Sequence, residues 1–184
     1  NTGSYRDSIA TLLKGERYAF SPRDQYQLYH VRGSSYFNIS DFGETISDLK
    51  KAVSIRRGNL DDLLQLGIAS YHLGQRAEAE TFLNQVLALN AEDLEAKRYL
   101  SRLRYQDAIH AFDEKDFGKA ASLLQKYTDQ HPQDGKAWFN LGLAHLFAEH
   151  GLAAESALLK SLQLLPENWE GYNRLGYLYE KKKN

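Results

Sequence analysis

Small residues recur along this chain at a fixed spacing. The interval from Gly33 to Gly67 is the same as the interval from Gly142 to Gly176. Gly67 and Gly142 are separated by two such periods with seven residues in addition, and Ala108 stands one period before Gly142. A constant period of roughly 34 residues is typical of a repeat protein, in which one supersecondary unit is copied along the chain. The chain is therefore expected to fold as an array of similar units.

Other positions keep the same period and describe two helices in each unit. Twelve residues after the recurring small residue stands a second small residue, and four residues later a leucine. The second small residues are Thr45, Ala79, Ala120 and Ala154, and the leucines are Leu49, Leu83, Leu124 and Leu158. Apolar residues recur around them at i, i+3, i+4 and i+7, which marks amphipathic helices. These stripes break near residues 40–42, 74–75, 115–117 and 150–151.

The recurring glycine stands inside the first helix of its unit. A glycine in a helix interior costs about 1 kcal/mol relative to alanine. We interpret it as the point where the two helices of a unit pack closely, with the glycine meeting the small residue of the second helix. Pro132 and Pro166 follow two of the second helices, and proline cannot continue a helix because it has no amide donor.

This pattern resembles the tetratricopeptide repeat, which reads Trp-x2-Leu-Gly-x2-Tyr, then Ala-x3-Phe, then Pro. The best match consists of Trp138, Leu141, Gly142, His145, Ala154, Leu158 and Pro166. The resemblance covers about residues 26–180. It implies an all-α fold, a right-handed superhelical solenoid of antiparallel helix pairs.

The period divides the chain into an N-terminal capping helix with a linker and a repeat array. The capping segment is 1–25 and the array 26–184, with repeats at 26–59, 60–93, 94–134 and 135–168 and a half-repeat or capping helix at 169–184. Ser4 and Asp7 have the spacing of a helix N-terminal capping pair, and Gly15 is expected to close that first helix.

The seven additional residues are expected in one long helix between residues 94 and 116. Seven residues make almost two helical turns, so they lengthen a helix without turning its apolar face much. If the seven residues are added at the N-terminal end of this helix, Arg104 and Asp107 occupy positions that are usually apolar in the family. If they are added at its C-terminal end, Leu100 and Ser101 fit better, and the sequence leaves this register open.

Charge and composition exclude several function classes. The chain has 23 basic and 24 acidic residues and a formal net charge of -1, whereas nucleic-acid-binding proteins usually carry a basic face. No window of 18 uninterrupted apolar residues predicts a transmembrane helix. Without cysteine, the chain has no thiolate nucleophile or thiolate metal ligand. The chain begins at Asn1 without a signal-like segment, so an excised fragment is expected, and its compartment stays unknown between cytoplasmic and extracytoplasmic.

No residue pattern predicts catalysis. His145, Glu149 and His150 lack the offsets of the helical zinc motifs H-E-x-x-H and H-x-x-E-H, and His145 stands where the repeat places a packing aromatic. His110 and Glu114 are one turn apart, which on a helix is typical of a solvated face. The sequence also lacks a serine elbow and a glycine-rich phosphate loop. We therefore expect no enzyme, no cofactor and no metal.

The resemblance implies that the first helices of successive repeats line a concave groove. The lining positions carried over to this chain are His30, Ser34, Phe37, Asn38, Leu64, Ile68, Tyr71, His72, Tyr105, Ile109, Phe112, Lys136, Phe139, Asn140, Leu143, Phe147, Asn173, Arg174 and Tyr177. Aromatic residues are enriched in binding hot spots. We therefore predict that a partner protein or peptide binds in an apolar and aromatic groove.

One subgroup of the family holds a C-terminal carboxylate with lysine, asparagine and arginine side chains. Here histidine and serine replace its first lysine and asparagine, at positions 30 and 34. Only Lys136, Asn140 and Arg174 match that chemistry, and they are scattered. The carboxylate clamp is expected to be absent.

The predicted function is a non-catalytic protein–protein interaction scaffold, without nucleic acid and without membrane insertion. Two alternatives stay open. One is a module for homo-oligomerisation through the half-repeat, whose Leu175, Tyr177, Leu178 and Tyr179 leave that end apolar. The other is an accessory domain of a larger enzyme.

Overall fold

The computed structural model describes residues 2–19 and 21–181. Its α-helices are α1 (Thr2–Gly15), α2 (Pro22–Asn38), α3 (Phe42–Ile55), α4 (Leu60–His72), α5 (Arg76–Leu89), α6 (Leu94–Asp113), α7 (Phe117–Gln130), α8 (Gly135–Phe147), α9 (Gly151–Leu164) and α10 (Trp169–Lys181). A short 3₁₀ helix follows α1 at Glu16–Tyr18. The described residues contain no strand, which confirms the predicted all-α class. None of their helices has both the length and the apolar character needed to cross a membrane.

One type of turn joins the two helices of each pair. At the α8–α9 turn, Glu149 has a left-handed backbone, with φ of 61°. The amide of His150 donates to the carbonyl of His145 at 2.9 Å, and the amide of Glu149 donates to that of Leu146 at 3.2 Å. These two bonds form a Schellman motif, which ends a helix in a tight reversal. The α2–α3, α4–α5 and α6–α7 turns repeat it, with positive φ at Ser40, Gly74 and Lys115.

The recurring glycines lie where paired helices approach each other closely. A Cβ added to Gly67 would lie 2.7 Å from Cγ of Leu83, and one added to Gly142 would lie 2.7 Å from Cγ of Leu158. Gly33 has the same relation to Leu49, at 2.6 Å from its Cδ2. The structure therefore confirms close packing at the glycine. It corrects the identity of its neighbour, because the leucine, and not the small residue four positions earlier, fills the space above the glycine.

The chain forms two compact units, Asn1–Leu103 and Arg104–Asn184, and the division falls inside α6. Leu100 and Leu103 belong to a buried cluster with Leu83 of the first unit. Ala108 belongs to a buried cluster with Leu124 of the second unit. The long helix therefore carries two apolar surfaces in succession, one for each unit.

The N-terminal segment packs against the first helix pair. Helix α1 begins at Thr2, so Ser4 and Asp7 lie inside the helix and do not form the expected cap. The helix ends at Gly15, as the sequence predicted. Helix α2 begins at Pro22, and the side chain of its N-cap Ser21 accepts a hydrogen bond from the third residue of the helix. The division into a capping segment and repeats stays a prediction.

Arg32 connects three elements of the first unit. Its side chain is 5% exposed and donates to both carboxylate oxygens of Asp48 on α3, at 2.6 and 2.9 Å. It also donates to Glu16 of the 3₁₀ helix at 2.9 Å. The hydrogen bonds that Arg32 donates to Asp48 raise the pKa of Arg32, and the hydrogen bond that it donates to Glu16 lowers the pKa of Glu16. A buried ion pair therefore joins α2 to α3.

Candidate functional site

The predicted lining residues of the first unit lie at different depths. Ile68 is 4% exposed and packs in the core cluster with Leu83 and Ala96, so the prediction that it lines a groove is wrong. It is buried because helices pack on both sides of α4. Half-buried side chains on the same core are Phe37, Leu64 and Tyr71. Ser34 is half-buried, and Asn38 and His72 are exposed.

His30 belongs to a polar network between α2 and α4. Its Nδ1 lies 2.6 Å from Oδ1 of Asp62, whose carboxylate is fully buried. The hydroxyl of Tyr26 donates to the other carboxylate oxygen at 3.3 Å and accepts from Asn59 at 2.8 Å. Burial and the negative charge of Asp62 raise the pKa of Tyr26. This network satisfies a buried carboxylate inside the unit, so we assign His30 a structural role.

Several predicted lining residues of the second unit also hold its helices together. The side-chain amide of Asn140 on α8 donates to the hydroxyl of Tyr105 on α6 at 2.7 Å, and burial raises the pKa of Tyr105. Phe139 packs against a buried cluster that contains Leu158 and Leu175. The half-buried members are Ile109, Phe112 and Leu143, and the exposed members are Lys136 and Asn173.

Three predicted residues meet in one cleft of the second unit. Phe147, Arg174 and Tyr177 line a space of about 250 Å³ together with Leu146, Glu149 and Lys181. We call it the α8–α10 cleft. Phe147 is 48% exposed and Tyr177 is 54% exposed, so a large part of each ring is available for contact.

The polar groups of the α8–α10 cleft are partly paired. Arg174 donates to Glu170 through Nη2 at 3.1 Å, and Lys181 lies 3.6 Å from Glu149. The Nε atom of Arg174 is buried and has no hydrogen-bond partner within residues 2–19 and 21–181. A buried donor without an acceptor costs free energy. The cleft therefore combines two exposed rings with an arginine whose buried Nε has no acceptor among the described residues.

Phe147 is supported by an aromatic cluster that the sequence reasoning missed in part. Its ring stacks on Phe117 with centroids 5.1 Å apart and contacts the edge of Phe112 at 5.7 Å. Phe117 is the first residue of α7. Phe42 precedes Phe117 by two repeat periods plus the seven additional residues, so it has the equivalent position in the first helix pair. Phe42 stacks on His72. The repeat period was therefore a signal that could have identified Phe117.

Two histidines meet at the α8–α9 turn. The Nδ1 atoms of His145 and His150 are 3.4 Å apart, and they line a shallow space of about 380 Å³ beside α7. Burial and the neighbouring His150 lower the pKa of His145. Within the part of the chain that the structure describes, no group of three or more possible metal-binding side chains occurs.

Similarities to known proteins agree with this architecture. Residues 40–103 match the family model described as tetratricopeptide repeat. No curated protein sequence matches the chain.

Solved structures share the fold at low sequence identity. MamA of Desulfovibrio magneticus RS-1, from residue 41 to its end, is 24% identical with a TM-score of 0.51, and the match covers 87% of this chain and 86% of MamA. YrrB, described as a TPR protein with an unusual peptide-binding site, is 20% identical with a TM-score of 0.54 over 93% of this chain and 83% of YrrB. The C-terminal part of a TPR repeat-containing protein from Cytophaga hutchinsonii is 19% identical with a TM-score of 0.53, over 92% of this chain and 63% of that structure.

The fold and these similarities define a helical repeat protein built from stacked helix pairs. Three observations support the same helical repeat. They are the glycine–leucine packing, the repeated turn and the family match over residues 40–103. Residues 40–103 match the tetratricopeptide repeat family, and most of the chain shares its fold with solved TPR structures. Proteins of this family generally mediate protein–protein interaction, and they are typically non-catalytic scaffolds.

Proposed function

We propose that the chain is a non-catalytic scaffold that binds a partner protein through a peptide segment seated in the α8–α10 cleft. One observation carries this proposal. Phe147 and Tyr177 expose about half of their surface next to the buried Nε donor of Arg174, which has no acceptor in the described part of the chain. Apolar surface beside an arginine with an unsatisfied N–H donor suits a peptide, which supplies side chains and backbone carbonyls together.

The expected chemistry of binding follows from these groups. A bulky apolar side chain of the partner would cover the rings of Phe147 and Tyr177, and a carbonyl or carboxylate oxygen would accept from Arg174. Ordering the peptide offsets much of this gain, so we expect an affinity around micromolar, about -8 kcal/mol. The cations of the cleft already contact Glu170 and Glu149. Added salt should therefore weaken binding only slightly, because it screens exposed charges more than apolar contacts.

This proposal predicts that Tyr177→Ala and Phe147→Ala each weaken peptide binding by about tenfold or more, as loss of an aromatic hot spot does. The measurement starts from a peptide-display library selected on the unmodified chain. Recovered peptides are expected to share a bulky apolar residue, and isothermal titration then compares their affinity for each variant.

Tyr172→Ala is the matched control. Tyr172 lies on the same helix as Tyr177 and has nearly the same exposure, 55% against 54%, but it does not line the cleft. Its replacement should leave affinity unchanged. Equal losses from the two tyrosine variants, or peptides that bind the Phe147 variant as tightly as the unmodified chain, would contradict the proposed site.

Apart from the buried Ile68, the predicted lining residues outside this cleft stay candidates for further contacts. Phe139 is a poor probe of binding because it packs on the core, and its truncation would destabilise the unit. His30 and Asn140 are already engaged in contacts between helices. We therefore place the test on Phe147 and Tyr177.

A second candidate function is self-assembly through α10, and Gly176 favours it. Gly176 keeps the repeat register of Gly142, but a Cβ added to it would meet no atom within 4 Å among the described residues. None of the described residues takes the place above Gly176 that Leu158 takes above Gly142. Leu175 and Leu178 are 6% and 4% exposed, so the prediction that they form an open apolar end is wrong for these two leucines, whereas Tyr177 and Tyr179 are 54% and 42% exposed.

We expect Gly176→Gln to reduce self-association if a helix from another copy packs on Gly176, because the added side chain would occupy its place. Sedimentation velocity over a range of concentrations measures the effect. Gly118→Gln is the control, since a Cβ at Gly118 also meets nothing within 4 Å but lies on α7. A chain that stays monomeric at high concentration without any substitution would exclude this candidate.

A further inference from the structure

The α8–α9 turn places two imidazoles side by side. In a Schellman turn the amide of one residue donates to the carbonyl five residues earlier, and here those two residues are His150 and His145. The equivalent backbone pairs are Tyr36 with Asp41, Ser70 with Gln75 and Ala111 with Asp116. Of the four turns, this one alone carries two imidazoles at those positions, so the shared backbone turn brings potential metal ligands together.

The distance between the two rings fits a shared metal ion better than a direct hydrogen bond. Donor and acceptor are usually about 2.7–3.2 Å apart in a hydrogen bond from N–H, and the two Nδ1 atoms are 3.4 Å apart. Two nitrogen ligands of a tetrahedral zinc, each about 2.0–2.1 Å from the metal, lie about 3.3–3.4 Å from each other. The pair therefore has the ligand spacing of a tetrahedral site.

Neither histidine is required by the turn itself. His150 stands at the N-cap of α9 and makes no capping hydrogen bond through its side chain. At the equivalent N-caps of α3 and α7, Asp41 and Asp116 each accept an amide hydrogen bond. An N-cap aspartate of this kind stabilises a helix by about 1 kcal/mol relative to a residue that does not cap. The local stability of the helix therefore does not explain the histidine.

The surroundings leave room for a hydrated ion. Gly118, Ser122, Gln125 and Lys126 of α7 line the space beside the two rings. The positive charge of Lys126 opposes a cation, so hard ions that bind imidazole weakly are disfavoured. Imidazole binds zinc, copper and nickel ions well.

The geometry points to a binding site for one divalent transition-metal ion of this imidazole-binding class, held by Nδ1 of His145 and Nδ1 of His150. Water completes its coordination, because the described residues supply no third histidine or carboxylate at this place. A site with two protein ligands exchanges its metal readily, and its open positions accept a ligand from another molecule. This site differs from the α8–α10 cleft and does not depend on peptide binding.

The test is a titration of the full chain with zinc chloride, followed by long-range ¹H–¹⁵N NMR of the imidazole nitrogens. The Nδ1 resonances of His145 and His150 are expected to shift together and to saturate near one zinc per chain, while Nε2 of each ring stays protonated. His145→Tyr and His150→Gln should each lower the affinity by about tenfold or more. These substitutions introduce the residues that other repeats carry there, Tyr36 and Gln75, so the fold should be retained, and circular dichroism checks that it is.

His110→Gln is the control, because His110 lies 3.3 Å from Glu114 and forms the other exposed pair that could attract zinc. Its replacement should leave the zinc affinity unchanged. Loss of zinc binding in the His110 variant would overturn the assignment. So would unchanged affinity in folded His145 and His150 variants, or the absence of saturable shifts at both Nδ1 atoms.

Discussion

Arg32→Leu is expected to lower the free energy of unfolding of the first unit by about 3–5 kcal/mol, the cost of removing one partner from a buried ion pair. Asp48 would keep its charge with its side chain only 3% exposed and would retain only the longer contact with Lys51 at 3.7 Å, and the ion pair of Glu16 with α2 would be lost. Urea unfolding followed by circular dichroism measures the change. We expect a lower midpoint for the transition that belongs to this unit.

The double variant Arg32→Leu with Asp48→Leu separates the cost of an orphaned charge from the value of the pair. Replacing both partners of a buried ion pair by apolar residues is often neutral or stabilising. The double variant should therefore recover most of the stability that Arg32→Leu loses. If both variants lose the same stability, the loss comes from the missing ion pair between α2 and α3 and not from the buried carboxylate that remains in the single variant. A single variant as stable as the unmodified chain would show that Asp48 reaches water.

The repeat period predicted the helices and turns well because it reflects backbone geometry. Gly67 and Gly142 must be small to admit Leu83 and Leu158, so their spacing is visible in the sequence. The breaks near residues 74–75 and 150–151 coincide with Schellman turns.

The depth of individual side chains was harder to predict. Carrying over repeat positions identifies the face of a helix, but burial depends on neighbouring helices. Ile68 lies on the expected face and is still covered by its neighbours. Leu175 is covered by α9, although the sequence placed it at an open end. Phe147 was also predicted from its repeat position. Because its side chain is exposed, it is a better probe of peptide binding than the buried residues.

Contacts between distant residues left no sequence signal. Arg32 is far along the chain from both Glu16 and Asp48, and no periodic pattern connects these three charges. His145 and His150 were rejected as metal ligands in the sequence for a different reason. Zinc motifs were compared on one continuous helix, whereas α8 ends between His145 and His150 and the chain reverses. The Schellman turn is what brings His145 and His150, which are five residues apart, next to each other.

Gly142→Leu is expected to lower the free energy of unfolding of the second unit by about 3 kcal/mol, at the upper end of what overpacking costs. Even a Cβ at this position would lie 2.7 Å from Cγ of Leu158 and 3.2 Å from its backbone nitrogen. The leucine side chain can change its rotamer, but the backbone of α9 cannot move without disturbing the whole helix pair. The thermal midpoint, measured by calorimetry, should therefore fall.

Gly176→Leu provides the matched comparison within the same unit. Gly176 has the register of Gly142 in a first helix, but the described residues leave the space above it open. Leucine is more favourable than glycine in a helix interior by about 0.8 kcal/mol. This variant should therefore be as stable as the unmodified chain or slightly more stable. The same substitution is thus expected to act in opposite directions at two equivalent repeat positions. Similar losses at both would show that a segment packs on Gly176 as α9 packs on Gly142, and similar gains would show that the α8–α9 contact yields easily.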